Sequence, residues 1–222
     1  MTIGLDVRSA ELGDVRGLAR VHVDTWRETY RGLMSNAALD DPSLLNWREK
    51  FWEAALTDPK YSQNTIAVAS TEGTLVGIAM SGPASEDADT PQQLFVLYVY
   101  AAFHGSGVGA ALLDAVIDPT APASLWVADP NPRAQAFYRK NGFNNDGTVG
   151  IKDDVRSVRM LRANQAANVR QRFLSGPEVF PCPGSREPTE FRVLGVWVAT
   201  RGVENQQFSG PFAHCQKGSF PV

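Results

Sequence analysis

Three glycines at alternating positions, Gly105, Gly107 and Gly109, stand between an apolar strand-like run and a helical pattern. The first amides of a helix have no partner within the helix and lie at the positive end of its dipole, so they bind phosphate oxygens well. Glycines let a phosphate approach these amides because no Cβ stands in the way. A plain strand–helix turn needs fewer glycines than this, so the spacing favours a phosphate-binding turn.

Two other phosphate-binding motifs can be tested on this turn. A P-loop requires G-x-x-x-x-G-K-[ST], and no Lys followed by Ser or Thr stands here. A dinucleotide fingerprint, G-x-G-x-x-G/A, can be laid on Gly105, Gly107 and Ala110, with Asp129 ending the next predicted strand. That fingerprint normally follows the first strand of a βαβ fold, whereas roughly 100 residues precede it in this chain. A dinucleotide-binding oxidoreductase therefore stays as a weaker alternative.

Two segments resemble motifs of the GCN5-related N-acetyltransferases, the GNAT family. His104-Gly105-Ser106-Gly107-Val108-Gly109 is similar to the pattern [QR]-x-x-G-x-[GA], and "NPRAQAFYRKNGF" is similar to N-x-x-A-x-x-[FLY]-Y-x-x-x-G-F. The two motifs stand in the family's order and at its separation, and the resemblance covers about residues 3–162. It implies the GNAT fold, acetyl-CoA as the acetyl donor, and an amine as the acceptor.

The resemblance also implies roles for individual residues. The turn would hold the coenzyme A pyrophosphate through His104, Gly105, Ser106, Gly107, Val108 and Gly109. The preceding strand would pair with the pantetheine arm through Leu97, Tyr98 and Val99, like an added strand. Asn131 and Ala134 would belong to the coenzyme site on the neighbouring element, and Tyr138 would be the general acid.

The chemistry of acetyl transfer gives these roles a physical basis. An amine attacks the thioester carbonyl, so the developing negative charge needs a donor such as the Val99 amide. Coenzyme A leaves as a thiolate, which a phenol such as Tyr138 can protonate. An unperturbed phenol has a pKa near 10 and a thiol one of about 8.5, so the phenol still holds its proton at neutral pH. The alternative for Tyr138 is a core aromatic on an amphipathic helix.

His104 departs from the family pattern, which has Arg or Gln at that position. A neutral imidazole still donates one hydrogen bond, but histidine ordinarily carries a full charge only below about pH 6.5. His104 therefore either contacts the coenzyme weakly or faces solvent.

The acceptor side is less well defined by the sequence. Glu28 is a candidate general base on the first predicted helix, and the alternative is a solvated helix residue. Trp26 and Tyr30 are i,i+4 neighbours that could contact the substrate, although aromatics at this spacing also form cores. His22, on the same helix, is predicted to be packed and hydrogen-bonded.

The elements that must position these residues alternate in type. Patterns of period two and of helical spacing, with turn signals between them, predict an α+β fold with a mixed central β-sheet flanked by helices. Asp14 and Asp41 are the expected N-caps of the first two helices. Strands are predicted at 3–10, 65–70, 75–82, 94–100, 124–129 and 157–162, and helices at 13–33, 41–56, 109–117 and 132–142.

The composition changes near residue 163. The chain has 222 residues, and all its aspartates lie before residue 163, whereas both cysteines, Cys182 and Cys215, lie after it. The later segment is rich in proline and has no counterpart in the family pattern. We predict an acetyltransferase domain at residues 1–162 and a poorly ordered tail of unknown fold at residues 163–222.

The overall composition narrows the function further. A net charge of −3 gives no reason to expect nucleic acid or an anionic membrane as partner, and two distant cysteines argue against a disulfide framework or a metal site. We predict a cytoplasmic N-acetyltransferase that uses acetyl-CoA and acts on a small-molecule or peptide amine, with a homodimer left open. A non-catalytic acyl-CoA sensor is the alternative from another functional class.

Overall fold

The computed structural model describes residues 4–85, 89–152 and 155–163, with the backbone alone at Lys152. Seven strands form one sheet. They are β1 (Leu5–Ser9), β2 (Thr65–Thr71), β3 (Thr74–Pro83), β4 (Gln92–Val99), β5 (Ala123–Ala128), β6 (Asn144–Lys152) and β7 (Val155–Arg162).

Five α-helices accompany the sheet, and short 3₁₀ turns join some of the elements. The helices are α1 (Val15–Tyr30), α2 (Asn36–Leu39), α3 (Leu44–Thr57), α4 (Val108–Val116) and α5 (Pro132–Lys140).

The sheet has the strand order β1-β2-β3-β4-β5-β7-β6. Every neighbouring pair is antiparallel except β4 and β5, which run parallel. This parallel pairing extends only from Gln92 opposite Ala123 to Leu94 opposite Leu125, and the two strands then diverge. The divergence opens the sheet at its centre, and among the described residues no strand pairs with this edge of β4 beyond Leu94.

A β-bulge in β4 lies next to this divergence. Met80 is opposite Val96, whereas Ser81 is opposite Leu94, so Phe95 is the extra residue. A bulge bends its strand and increases the local twist. The bulge therefore contributes to turning β4 away from β5.

Each face of the sheet carries its own hydrophobic core. On one face, α4 packs through buried Leu112 and Leu113 onto a cluster that includes Leu125 and Phe143. On the other face, α1 and α3 pack onto β2, β3 and β4, with Trp52 fully buried. The predicted α+β class with a mixed central sheet is confirmed.

The β2–β3 hairpin follows the sequence prediction closely. Its two turn residues, Glu72 and Gly73, both have positive φ, 50° and 76°. Positive φ at both central positions matches the twist of the flanking strands. Glycine adopts this conformation readily, and the hairpin needs only one other residue to do so.

The structure differs from the sequence prediction at the start of α1. Asp14 lies in a 3₁₀ turn before the helix with helical dihedral angles and makes no cap bond to α1. Its carboxylate accepts the N–H of Glu11 at 2.8 Å and pairs with Arg8 at 2.7 Å. Both contacts face backwards along the chain, so Asp14 closes the preceding turn. The prediction for Asp41 is also wrong: Ser43 is the N-cap of α3, and the Asp41 carboxylate accepts the N–H of Ser43 in the turn that precedes the helix.

Two elements were not predicted, α2 and β6. The β6 sequence "NNDGTVGIK" is rich in Asn, Asp and Gly, which are depleted in strands. The strand forms because β7 pairs with it on both sides of an irregularity between Asn145 and Val149. Tertiary pairing outweighs the local preference.

The predicted tail at residues 163–222 lies outside the described residues, apart from Ala163. Of the helices within the described ranges, none has the length and apolar character needed to cross a bilayer. In the same ranges, no three His, Cys, Asp or Glu side chains are grouped as metal ligands would be.

Candidate active site

A cleft of about 810 Å³ opens where β4 and β5 diverge. Its walls are the last turns of α1, the free edge of β4, the glycine turn, β5 and the inner face of α5. The cleft is therefore a consequence of sheet topology.

The main chain of β4 supplies one wall of the cleft. The N–H of Tyr100 donates to the carbonyl of Val76, across from it on the β3 side, at 3.1 Å. Successive residues in a strand direct their N–H and C=O groups to opposite edges. Tyr98 therefore faces β3, where it stands opposite Ile78, whereas Leu97 and Val99 direct their amides and carbonyls towards the cleft. An extended ligand can pair with these two residues as an added strand.

The glycine turn leads directly into α4. Gly105 and Gly107 have φ of 80° and 93°, a region that L side chains rarely adopt. Gly107 is the N-cap of α4, so the first amides of the helix lack intrahelical partners beside the cleft.

Gly109 serves a different purpose from the other two glycines. A Cβ at this position would lie 3.3 Å from Cε2 of Phe137 on α5. The absence of a side chain lets α4 and α5 approach each other, so Gly109 joins the two sequence motifs into one site.

Ser106 and Val108 are not part of the cleft wall. The Ser106 Oγ donates to the carbonyl of Phe103 at 2.6 Å, and the Val108 side chain is buried in the core. The Ser106 N–H donates to the same carbonyl at 3.3 Å, whereas Val108 can serve a ligand through its main-chain N–H.

His104 lies at the mouth of the cleft and binds the main chain of β4. Its Nε2 is 2.9 Å from the carbonyl oxygen of Val99. A carbonyl only accepts hydrogen bonds, so Nε2 carries the proton in this arrangement. His104 thus contacts one of the two residues that face the cleft.

Tyr138 lies on the inner face of α5, where it lines the cleft and is also buried. Its ring packs against Phe137 and Phe143, with centroids 5.2 and 6.0 Å apart. Burial, together with the nearby Tyr98, raises the pKa of the Tyr138 phenol above its usual value. The phenol therefore keeps its proton throughout the neutral range.

Asn131 and Ala134 form the start of α5. Asn131 Oδ1 accepts the N–H of Ala134 at 3.1 Å, which makes Asn131 the N-cap of the helix. Both residues line the cleft. On the same helix, Arg133 and Lys140 also line it, and they are basic residues that the motif comparison did not identify. Their charge would favour an anionic ligand.

Glu28 and Tyr30 line the cleft from α1. Glu28 Oε2 accepts the N–H of Ala101, just beyond the end of β4, at 3.0 Å. The pKa of Tyr30 is raised by the neighbouring Tyr98, with which it shares a hydrogen bond, and by burial.

Trp26 does not line the cleft, in contrast to the sequence prediction. Its Nε1 donates to the Tyr98 hydroxyl at 2.9 Å, and the Arg48 guanidinium lies 4.6 Å from its ring centroid. The indole therefore packs on the α1–α3 side of β4 and holds Tyr98 in place.

His22 packs beside Trp26, as predicted, but without the expected hydrogen bond. It is 4% exposed, and among the described residues its Nδ1 has no hydrogen-bond partner. Burial, with the charge of Arg48, lowers the pKa of His22 well below its usual value.

Sequence patterns also missed Phe95, Phe103 and Trp126, which line the cleft as well. Trp126 lies in a strand whose other residues are buried, yet it is 43% exposed. A bulky aromatic residue in an apolar strand is normally predicted to be buried, so the sequence contained no indication that Trp126 is exposed.

Asp129, the acid of the dinucleotide hypothesis, is occupied by other contacts. It pairs with Arg156 and accepts from Gln135 Nε2 at 3.3 Å. The sheet contains a single parallel pair within the described residues, whereas a dinucleotide-binding fold is built on mostly parallel strands. The structure therefore contradicts the dinucleotide alternative.

Comparison with known proteins decides the family. The model of the acetyltransferase (GNAT) domain matches residues 62–145. A probable N-acetyltransferase of Mycobacterium tuberculosis is 30% identical over 146 residues, which cover 64% of this chain and 80% of the relative. The chain belongs to the GNAT family. An uncharacterised N-acetyltransferase of Bacillus subtilis is 27% identical over 139 residues, covering 60% of this chain and 76% of that protein.

Solved GNAT structures share the fold of this chain. The PaiA N-acetyltransferase of Thermoplasma acidophilum, solved in complex with coenzyme A, has a TM-score of 0.56 at 18% identity and covers 70% of this chain and 98% of that protein. A related acetyltransferase from Corynebacterium glutamicum has a TM-score of 0.56 at 21% identity, with coverages of 72% and 96%. As a GNAT protein, this chain is an acetyltransferase with acetyl-CoA as its donor.

Proposed function

We propose that this GNAT protein transfers acetyl from acetyl-CoA directly to a primary amine on a small molecule or a peptide. The free edge of β4 carries the proposal, because Leu97 and Val99 direct their main-chain groups into a cleft with the glycine turn at one end. This arrangement suits a long donor whose pyrophosphate and pantetheine need different partners. Arg133 and Lys140 add positive charge for its phosphates.

The donor is held mainly by main-chain groups in this proposal. The amides from Gly105 to Gly109 bind the pyrophosphate, and the main-chain groups of Leu97 and the carbonyl of Val99 pair with the pantetheine, which leaves the Val99 amide for the acetyl carbonyl. The main chain of Tyr98 faces β3, so Tyr98 can serve the site only through its side chain. Asn131 and Ala134 form the opposite wall.

The reaction needs no covalent enzyme intermediate. The amine nitrogen attacks the thioester carbon, and the Val99 amide stabilises the charge that develops on the oxygen. The carbon–sulfur bond then breaks, the electron pair moves to sulfur, and the Tyr138 phenol protonates the thiolate. The amine loses its proton to Glu28, directly or through water, and Tyr138 regains a proton from solvent.

The buried phenol also supports catalysis over sensing. A non-catalytic acyl-CoA sensor requires the donor site but no proton donor at the sulfur. Tyr138 lines the cleft, where a phenol that is protonated at neutral pH can donate to the thiolate.

The test is release of free thiol from acetyl-CoA in the presence of a panel of primary amines. We expect amine-dependent release, and calorimetry is expected to detect binding of coenzyme A but not of NAD. Binding of coenzyme A without acetylation of any amine would favour the sensor. We further propose that residues 1–162 suffice, so a chain ending at Arg162 should retain the full rate. Loss of activity in a folded short chain would contradict this boundary.

A further inference from the structure

Trp126 presents an aromatic surface to the cleft that the proposed donor site and acid do not use. It lies on β5 directly opposite Arg159 of β7, so both side chains lie on the same face of the sheet. Its neighbours Leu125 and Val127 are buried on the opposite face, under α4 and α5. The indole remains 43% exposed while lining the cleft.

The indole lies close to a glycine two strands away in the sheet. A Cβ at Gly150 of β6 would lie 3.0 Å from Cζ3 of Trp126 and 3.4 Å from Cη2. The ring therefore reaches across β7, where the small Ser157 stands opposite Gly150. A side chain at this position would press on the ring, so Gly150 lets the indole lie close to β6 while much of its surface stays open.

The charges next to the indole are already paired. Arg159 contacts Asp146 at 2.6 Å and Asp89 at 2.8 Å, so its guanidinium is held by two carboxylates. The positive charge of Arg159, directly opposite Trp126, is therefore balanced and does not repel an amine. Phe95, the bulge residue of β4, lines the same cleft and extends its aromatic character.

We propose that Trp126 determines acceptor specificity by stacking on a flat apolar group of the substrate, which makes aryl-alkyl primary amines the acceptor class. This inference rests on the proposed function, in which the thioester lies along β4. An exposed, rigid aromatic face favours offset stacking with a planar ring over contact with a flexible chain. The amine of such a substrate extends from the indole towards β4.

The test compares phenethylamine, cyclohexylethylamine and butylamine as acceptors of the full chain. We expect phenethylamine to have the highest kcat/KM. Trp126→Ala should lower that value about tenfold through KM, leaving butylamine and the KM of acetyl-CoA unchanged. Trp126→Phe should retain part of the preference. Gly150→Val, which displaces the ring without removing it, should also reduce the preference for phenethylamine.

Trp47 provides a matched control because it is also 43% exposed and does not line the cleft. Trp47→Phe should leave all three acceptors unchanged. Equal losses for phenethylamine and butylamine in Trp126→Ala, or no loss for either, would overturn the proposal.

A binding measurement separates this proposal from the proposed function. Phenethylamine should quench tryptophan fluorescence of the coenzyme A complex in the wild type and in Trp47→Phe, but not in Trp126→Phe. The quench requires no turnover, so it supports the role of Trp126 even if no amine is acetylated. Failure of the wild type to bind phenethylamine overturns the role of Trp126 and leaves acetyl transfer to other amines intact.

Discussion

His104 donates a hydrogen bond from Nε2 to the carbonyl oxygen of Val99, over 2.9 Å. The contact ties the start of the glycine turn to the end of the free edge of β4. A carbonyl has two lone pairs, so Val99 can accept from His104 and from a bound pantetheine at the same time. The imidazole thus acts as a brace between the two parts of the proposed donor site.

Removing this brace should weaken coenzyme binding. A single hydrogen bond contributes about 1 kcal/mol, so we expect His104→Ala to raise the Kd of coenzyme A roughly fivefold. Calorimetry measures the change. His104→Gln keeps a side-chain donor and should bind within about twofold of the wild type. Equal weakening in both variants would mean that the hydrogen bond is not the cause.

Tyr138→Phe should remove the proton donor without disturbing the fold. The ring packing against Phe137 and Phe143 is preserved. We expect kcat to fall by about 10²–10⁴-fold while the Kd of coenzyme A stays unchanged. Tyr61→Phe, which removes a phenol outside the cleft, is the matched control and should retain full activity. A Tyr138→Phe enzyme with a normal kcat would exclude the phenol as the general acid.

Because Gly109 and Phe137 lie close together, a substitution at Phe137 should partly reverse the loss of stability caused by a larger residue at Gly109. In Gly109→Val, the new side chain meets the ring of Phe137, so the free energy of unfolding should fall by about 1–3 kcal/mol and coenzyme binding should weaken. Adding Phe137→Leu should recover part of both losses, because leucine leaves room for the valine. Urea unfolding of the single and double variants measures the coupling. Strictly additive effects would show that the two residues do not interact.

His22 should make the stability of the folded chain depend on pH. Its pKa is well below the usual value in the folded state and near 6.5 in the unfolded state. Above that pH the histidine is neutral in both states, so it causes no dependence. Below it the unfolded chain binds a proton that the folded chain does not, and the free energy of unfolding falls by up to about 1.4 kcal/mol per pH unit.

The test of this linkage is His22→Leu, which removes the titrating group and keeps an apolar side chain. Urea unfolding at pH 7.5 and at pH 5.5 should show a smaller loss of stability in the variant than in the wild type. The same loss in both proteins would assign the pH dependence to other groups.

The sequence predicted the parts of the fold whose residues carry their own conformational signal. The hairpin between the strands predicted at 65–70 and 75–82 and the glycine turn before α4 both depend on the conformation of neighbouring residues. Main-chain contacts along Leu97, Tyr98 and Val99 were expected from the resemblance. Leu97 and Val99 face the cleft, but the expectation for Tyr98 is wrong because its main chain faces β3.

What the sequence did not predict depends on contacts between distant residues. Strand β6 forms against its own composition because β7 pairs with it. Trp26 turns to Tyr98 instead of the cleft, whereas Trp126 is exposed because Gly150, two strands away, leaves room for its ring. Periodicity within one segment contains no information about a partner that is 24 residues distant in the chain.

Because β4 and β5 diverge, substitutions on the donor side of the cleft and on the acceptor side should have different effects. The proposed donor site consists mostly of main-chain groups and glycines, so most side-chain substitutions along β4 should leave it intact. The acceptor side that we propose is lined by side chains such as Trp126 of β5 and Tyr30 of α1. On this proposal, a few substitutions at these positions would change the acceptor while the donor stays the same. The main-chain part of the cleft would stay constant while its side chains change.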